Sequence, residues 1–252
     1  MRGIGRLDAT PPLVSCLCVT EKRPAFMPWL LWCFDRQTWS HKELVVVDSS
    51  PEPLIPRASN VRVITAPAGS SVACKRNMAL AAARGEIVAW FDDDDWQHPQ
   101  RLEHTASAVA AGAAVASVGR AWFVDLLGDG AYAHHAPDGV IFNAAAFVAN
   151  VARKVRFDER LIKASDTGWL LTVLREAVGA VHRLRGGPHT FWLCHDHNLS
   201  NPRDRLPLCF PLALVRQSVG AAAWDVTDAQ LAQLRDRLDT AASGPVVRPT
   251  IG

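Results

Sequence analysis

Apolar and polar residues in the first half of the chain follow a repeating pattern. Short apolar runs rich in β-branched side chains predict strands at residues 13–20, 44–48, 61–65 and 86–91. Helical periodicity predicts helices at residues 28–37 and 72–84, the first opened by Pro28 and the second ended by Gly85. Strands and helices that alternate in this way are typical of a parallel sheet covered by helices.

The second half is less regular. Its pattern predicts helices at 99–111, 166–177 and 227–241, a strand at 114–125, a hairpin turn at 128–130 and a returning strand at 132–135. Residues 140–151 are apolar without a clean period, so helix and strand both stay open there. We expect one domain over residues 13–243, between a flexible N-terminus at 1–12 and a flexible tail at 244–252.

Length and charge narrow the class of protein. A chain of 252 residues can bury a substantial core. Its formal net charge of +2 comes with scattered basic residues, which disfavours a nucleic-acid partner. No apolar run is long enough to cross a membrane, and residues 1–12 lack an apolar block of signal-peptide length. We therefore expect a cytoplasmic protein without an integral membrane segment.

The six cysteines show no C-x-x-C pair and no regular spacing. Cys16 and Cys18 alternate along a predicted strand, so both point to one face, where they would be small buried hydrophobic residues. Reduced thiols of this kind fit the cytoplasm.

An acidic cluster carries the clearest chemical signal. Residues 90–96 read Trp-Phe-Asp-Asp-Asp-Asp-Trp and follow a predicted buried strand. Four adjacent carboxylates repel one another, which favours a bound cation over a solvated loop. A helix–loop–helix calcium site is excluded, because Trp96 and Gln97 occupy positions that need an oxygen ligand and a glycine. We therefore predict a metal-dependent site.

Polar side chains also stand at the ends of two other predicted strands. These are Thr20 and Asp48, and Asp92 follows the strand at 86–91. Ligands of parallel α/β sheets bind outside the carboxyl ends of the strands. One shared crevice for a nucleotide explains the three positions better than three unrelated surface loops.

These segments together carry a resemblance to a known family. The order VSCLCVT, LVVVDSS, Lys75-Arg76-Asn77, Gly85 and WFDDDDW resembles the inverting nucleotide-sugar glycosyltransferases of family 2, closely over residues 13–110 and loosely over 155–201. The resemblance implies a GT-A fold, that is, an α/β, Rossmann-like, mostly parallel central sheet flanked by helices. It further implies a nucleotide-sugar-binding half at 13–112 and an acceptor-binding half at 113–243.

The resemblance assigns residues to the donor. Thr20 and Asp48 would line the base and ribose pocket, although, taken one by one, each is better explained as a strand end and a turn cap. Lys75 and Arg76 would lie beside the nucleotide near a helix N-terminus, the alternative being a solvated helix face. For a UDP-sugar, Asp48 would accept a hydrogen bond from the uracil edge.

The acidic cluster matches the family's D-x-D motif. Asp94 would bind Mg²⁺ or Mn²⁺, and Asp92 would contact the ribose or reach the metal through water. Asp93 points to the other side if the segment is extended, so it is expected to have no catalytic role. It is grouped with the donor-binding residues. Asp95 follows as support.

The proton acceptor is expected elsewhere in the chain. In the family an acidic residue precedes a helix, and Asp166 matches it as catalytic base, although Ser165 stands where glutamate is usual. A helix N-cap role for Asp166 is compatible with this one.

A late histidine motif identifies His195 as a ligand of the metal or the diphosphate, with His197 as the alternate. A zinc site made by both histidines with Cys194 lacks a second ligand cluster.

The favoured function is direct, inverting transfer of a sugar from a UDP-sugar to a hydroxyl of a small-molecule, glycan or lipid-linked acceptor, in a chain that could form a homodimer. Two alternatives stay open. A sugar-phosphate nucleotidyltransferase would want a glycine-rich loop after the first strand, and residues 20–24 contain no glycine. A catalytically silent binding module has only the missing glutamate at Ser165 in its favour.

Overall fold

The computed structural model describes most of the first 194 residues and little beyond them. The described residues are 10–52, 54, 58–125, 130–136, 139–161, 165–177, 180–184, 190–194, 209–211, 230 and 232–233. The predicted turn residues 128 and 129, the tail at 244–252, and nearly all of the N-terminal segment and of the helix at 227–241 lie outside the described residues.

Strands and helices alternate through the first half, as predicted. The strands are β1 Val14–Thr20, β2 Lys42–Asp48, β3 Val61–Thr65, β4 Ile87–Trp90, β5 Trp96–Gln97, β6 Val115–Val118, β7 Arg120–Asp125, β8 Gly130–His135, β9 Ala146–Val148, β10 Val181–Leu184, β11 Thr190–Cys194 and β12 Cys209–Pro211. The helices are α1 Met27–Asp35, α2 Val72–Ala82, α3 Arg101–Ala110, α4 Ala149–Lys154 and α5 Ser165–Glu176. Short 3₁₀ turns lie at Pro24–Phe26 and Phe142–Ala144.

The main sheet is mostly parallel, which confirms the predicted fold class. Its order is β10-β6-β9-β4-β1-β2-β3. The exception is β9, which is antiparallel to both of its neighbours, β4 and β6. In this order β1 lies between β2 and β4, so the carboxyl ends of these three strands are neighbours at one edge.

Two hydrophobic clusters cover the two faces of this sheet. Leu17 of β1 points to the face where α2, α4 and α5 pack. Cys16 and Cys18 point to the opposite face, where residues of α1 and α3 cover them, and both are fully buried. The interpretation of these two cysteines as core residues is therefore confirmed.

A second, five-stranded sheet has the order β12-β8-β7-β11-β5. The single strand predicted at 114–125 is wrong, because the chain leaves the main sheet after β6 and enters this one as β7. The break is at Gly119, where a Cβ atom would lie 3.2 Å from the Cα of Gly139. The ambiguous segment 140–151 contains a 3₁₀ turn, β9 and the start of α4.

Gly85 does not have the predicted role of ending a helix. Helix α2 ends at Ala82, and Ala83 already has an extended conformation, so Gly85 does not terminate the helix. A Cβ atom at Gly85 would lie 2.5 Å from the backbone oxygen of Leu13 and 2.7 Å from the nitrogen of Ser15. Glycine is required because the chain entering β4 runs directly against the start of β1.

Other boundaries differ slightly from the prediction. Helix α3 starts at Arg101, so Pro99 precedes the helix instead of opening it, and the short strand β5 lies between the acidic cluster and the helix. Within the described ranges, none of the helices combines the length and apolar character that a membrane crossing requires.

The close contact at Gly85 predicts a strong effect of a single methyl group. Gly85→Ala should lower the free energy of unfolding by about 2–3 kcal/mol, because the backbone of β1 has to move to admit the Cβ atom. Gly168→Ala is the matched control, since a Cβ atom added to this residue of helix α5 would meet nothing within 4 Å. The control should be neutral or more stable by up to about 1 kcal/mol. Urea unfolding of both variants measures this, and equal stability would contradict the steric explanation.

Candidate active site

The site forms where the carboxyl ends of β1, β2 and β4 meet. Thr20 and Asp48 are paired in the register of β1 with β2. After β4 the chain continues beside β1, where the backbone N–H of Phe91 donates to the oxygen of Leu17 at 2.9 Å. This path brings the acidic cluster next to Thr20. The structure therefore brings together the three strand ends that the sequence identified.

The acidic cluster is largely buried. The exposed fractions are 1% for Asp93, 8% for Asp94 and 5% for Asp95, whereas Asp92 is partly exposed. Thr20 donates its hydroxyl to Oδ2 of Asp93 at 2.6 Å. Each buried carboxylate in such a place needs hydrogen-bond donors.

Arg23 supplies two of these donors. Its guanidinium donates to Oδ1 of Asp93 at 2.7 Å and to Oδ2 of Asp94 at 2.5 Å. Sequence reasoning missed this residue, although it lies in the loop at 20–24 whose lack of glycine was informative. A basic residue a few positions after the first strand was the available signal.

Asn143 was also missed, because it lies in the segment whose structure was ambiguous. Its side-chain amide donates to Oδ2 of Asp95 at 2.6 Å and approaches Oδ2 of Asp92 at 3.3 Å. One neutral donor group therefore links the two ends of the acidic cluster.

Burial disfavours the charged forms of these carboxyl groups. It raises the pKa of Asp93 to about 7, although the positive charge of Arg23 opposes the shift. Burial, together with the negative charges of Asp94 and Asp92, raises the pKa of Asp95 well above its usual range. Desolvation also raises the pKa of Asp92. Desolvation of clustered carboxyl groups is thus the main electrostatic feature of the site.

Lys75 and Asp48 are both internal. The ammonium group of Lys75 donates to the backbone oxygen of Thr20 at 3.1 Å, to Oγ of Ser49 at 3.0 Å and to the carboxylate of Glu21 at 3.4 Å. Asp48 accepts from the backbone and hydroxyl of Ser50, and its other oxygen accepts from the backbone of residue 54. Both side chains shape the strand ends, and a direct contact of either with a nucleotide stays a prediction.

Arg76 connects the acidic cluster with Asp166. Its guanidinium lies 4.7 to 5.7 Å from the ring centroids of three aromatic residues, and the side chain is only 10% exposed. The three rings belong to Trp90, Phe142 and Phe157. Nη1 lies 4.0 Å from Oδ2 of Asp166. The positive charge of Arg76 lowers the pKa of Asp92 and the negative charge of Asp166 raises it, so both groups act on the cluster.

Asp166 itself is accessible. Its side chain is 40% exposed in the first turn of α5, and its Oδ1 accepts from the backbone of Thr167 at 2.8 Å. The neighbouring Ser165 is buried. Asn77 holds the preceding turn, since its amide oxygen accepts from the Phe157 backbone at 2.8 Å and its amide group donates to Glu159 at 2.8 Å. A proton acceptor at Asp166 would therefore face solvent or an acceptor molecule.

The residues at this edge fit a hard divalent cation shared with phosphate. Among the described residues, no three His, Cys, Asp or Glu side chains converge as a ligand set. Mg²⁺ does not require one, because it commonly takes one or two carboxylates and completes its shell with phosphate oxygens and water. Asp94 and Asp92 offer oxygen ligands within a cluster of four carboxyl groups.

Several other predicted residues lie in the core or outside the described residues. Trp96 and Trp169 are almost fully buried, the latter stacked on Phe157 at 4.8 Å between ring centroids. Core packing therefore accounts for both. His195 and His197 lie outside the described residues, so the metal-ligand assignment of His195 and the zinc alternative stay untested.

The raised pKa of Asp93 predicts a pH-dependent stability. In the unfolded chain an aspartate loses its proton near pH 4, whereas folded Asp93 keeps it up to about pH 7. The folded state therefore binds more protons in this window, and stability should fall by a few kcal/mol, in order of magnitude, as the pH rises from about 4 to 7. Asp93→Asn should show a smaller fall in unfolding experiments with EDTA. Identical slopes in both proteins would refute the shift.

A comparison with family models identifies the relatives of this site. The model described as "Glycosyl transferase family 2" matches residues 21–173, more than half of the chain. The match includes the acidic cluster, Arg76 and Asp166. A comparison with curated protein sequences found no match.

Solved structures show the same fold at low sequence identity. TarS 1-349 of S. aureus in complex with UDP-GlcNAc is similar with a TM-score of 0.60 and 16% identity, over 89% of this chain and 71% of that one. The UDP complex of the same TarS fragment has a TM-score of 0.57 and 17% identity, over 89% and 70%. The family match and the shared architecture lead to one conclusion: the chain belongs to glycosyl transferase family 2 and is a glycosyltransferase with the GT-A fold.

Proposed function

We propose that this glycosyltransferase moves a sugar from a UDP-sugar to an acceptor hydroxyl, with inversion at the anomeric carbon and with the help of Mn²⁺ or Mg²⁺. One observation carries the proposal. The buried acidic cluster and the exposed Asp166 lie on two sides of Arg76, within electrostatic reach of Asp92. This proximity supports a site in which a donor-holding group and a proton acceptor act together.

The donor is assigned to the edge formed by β1, β2 and β4. Structural neighbours have been solved with UDP and with UDP-GlcNAc, which supports a uridine nucleotide as the carrier. Thr20, Asp48 and Lys75 organise the strand ends against which the base and ribose would lie. Arg76, a buried cation whose Nε has no hydrogen-bond partner among the described residues, would favour the diphosphate charge.

Asp94, with Asp92 beside it, would hold the metal together with the diphosphate. The cation would offset the negative charge that builds on the leaving UDP as the sugar–oxygen bond breaks. Asn143 and Thr20 donate to the neighbouring carboxylates and so restrict the positions that the cluster can take.

Asp166 would take the proton from the acceptor. The acceptor oxygen attacks the anomeric carbon, the proton of its hydroxyl moves to Asp166, and the bond to the UDP oxygen breaks with its electron pair on UDP. Attack opposite to the leaving group inverts the anomeric centre. The exposure of Asp166 leaves room for the acceptor at this side.

The family assignment removes the nucleotidyltransferase alternative. The proposal also includes a small-molecule, glycan or lipid-linked acceptor, a cytoplasmic location and a homodimer. A silent binding module remains as an outcome of the activity assay.

The donor and the metal can be tested in one assay. The protein is incubated with a panel of nucleotide sugars with Mn²⁺, Mg²⁺ or EDTA, and the released nucleoside diphosphate is measured. We expect slow hydrolysis of one UDP-sugar that requires the metal, and Asp94→Ala should abolish both this hydrolysis and metal-dependent UDP binding. Binding without release under any condition would support the silent module, and release in EDTA would refute metal dependence.

The base is tested by removing its proton affinity. Asp166→Asn keeps the shape of the side chain and should lower transfer roughly 10²- to 10⁴-fold, while UDP binding by calorimetry stays unchanged. Asp158→Asn is the matched control, because Asp158 is another partly exposed aspartate beside an arginine, with Arg160 at 2.7 Å. Transfer at the wild-type rate in Asp166→Asn would show that another group accepts the proton.

A further inference from the structure

Arg23 occupies a place at the acidic cluster that no motif assigned. One guanidinium spans two consecutive carboxylates, with one nitrogen on Asp93 at 2.7 Å and the other on Asp94 at 2.5 Å. The ring of Phe26 packs against the guanidinium, with Cζ of Arg23 4.5 Å from the ring centroid. The residue comes from the loop that directly follows β1. The contact thus joins two segments that are 70 residues apart in the chain.

We propose that Arg23 is an internal counter-cation of the metal-free enzyme and competes with the divalent metal for Asp94. The inference rests on the proposed function, since it concerns the same metal at the same carboxylate. Arg23 thereby helps to set the affinity of the site for the metal. Its guanidinium leaves Asp94 when the cation and the diphosphate bind.

The two carboxylates that Arg23 contacts are held differently. Asp93 is 1% exposed, and its second oxygen accepts the hydroxyl of Thr20 at 2.6 Å. Asp94 is more exposed, at 8%, and is the residue that matches the metal ligand. The bond to Asp93 therefore anchors the arginine, whereas the bond to Asp94 is the one that a metal can displace.

A metal ion on Asp94 and the guanidinium of Arg23 would be two positive charges on one carboxylate. A metal ion bound to Oδ2 would lie within one contact distance of a guanidinium nitrogen that already approaches this oxygen to 2.5 Å. Two positive charges at such a distance repel strongly where little water screens them. The side chain of Arg23 is 24% exposed, so its guanidinium can move away from Asp94 while one nitrogen stays on Asp93.

Two other arginines near the cluster are engaged elsewhere. The buried guanidinium of Arg101 donates to the backbone oxygens of Trp90 and Ala145 and to Oε1 of Gln97. Arg76 lies among aromatic rings on the side of Asp166. Arg23 is thus the arginine whose described contacts a metal at Asp94 would break.

The experiment measures metal affinity directly. Mn²⁺ is titrated into wild type, Arg23→Gln, Arg23→Lys and Arg62→Gln in the presence of saturating UDP, and free Mn²⁺ is read by electron paramagnetic resonance. Arg23→Gln should bind Mn²⁺ on the order of tenfold more tightly, because a charge-assisted bond to Asp94 no longer has to be broken. Arg23→Lys keeps the charge but cannot span both carboxylates, so its affinity should lie between these two.

Arg62 provides the matched control. It pairs with Glu43 at 3.1 Å and its side chain is 26% exposed, close to the 24% of Arg23. Arg62→Gln should lose some thermal stability and bind Mn²⁺ like the wild type. In metal-free buffer Arg23→Gln should also melt at a lower temperature, and the rise in melting temperature on adding Mn²⁺ should exceed that of the wild type.

The outcomes separate this proposal from the proposed function. Unchanged or weaker Mn²⁺ binding in Arg23→Gln overturns the competition, and weaker binding would mean that Arg23 holds Asp94 in its metal-binding position. If neither protein binds Mn²⁺, the competition is overturned through its premise. Nucleotide release in EDTA then decides independently whether sugar transfer itself survives.

Discussion

The site depends on one electrostatic constraint, which is that four consecutive carboxyl groups stand at the end of a buried strand. At an effective dielectric constant of 20, two like charges 4 Å apart repel by about 4 kcal/mol. A few such pairs without compensation would match the whole stability of a domain, which is about 5–15 kcal/mol. The positions of Arg23, Asn143 and Thr20 follow from this constraint, because each donates to one or two of the carboxylates. Burial is the largest cause of the raised pKa values of Asp93 and Asp95, so these contacts do not fully offset the hydration that the two carboxyl groups lose on folding.

Helix α2 connects the strand ends with Asp166 and with the turn that precedes it. Three consecutive residues near its N-terminus each make a different connection: Lys75 to the ends of β1 and β2, Arg76 to Asp166, and Asn77 to the turn at 157–159. Since successive helix positions are rotated by about 100°, one turn can reach three directions. Among the described residues, helix α2 thus links the ends of β1 and β2 with Asp166, the proposed proton acceptor.

The arrangement of the strand ends could be predicted from the sequence because its signals are local. The apolar runs, the polar strand ends and the acidic cluster are all visible within short windows, and parallel pairing places their ends together. Gly85 shows the limit of this reasoning. Its position after a helix indicated a cap, whereas its purpose is to let two segments 70 residues apart touch. The same limit hid Asn143, whose segment has no periodicity and whose partner is the cluster itself. Arg23 was visible as a basic residue, but only the tertiary structure shows which carboxylates it meets.

Ser165, which stands where the family usually has a glutamate, can also be explained by electrostatics. The residue is 5% exposed at the start of α5, directly before Asp166. A glutamate there would bury another carboxylate directly beside Asp166, whose negative charge already acts on Asp92. Arg76 is the nearby cation, and it already faces both Asp92 and Asp166. A small neutral serine leaves Arg76 to these two groups, and Asp166, the proposed proton acceptor, stays partly exposed. The missing glutamate is therefore consistent with an active site and does not by itself indicate a silent one.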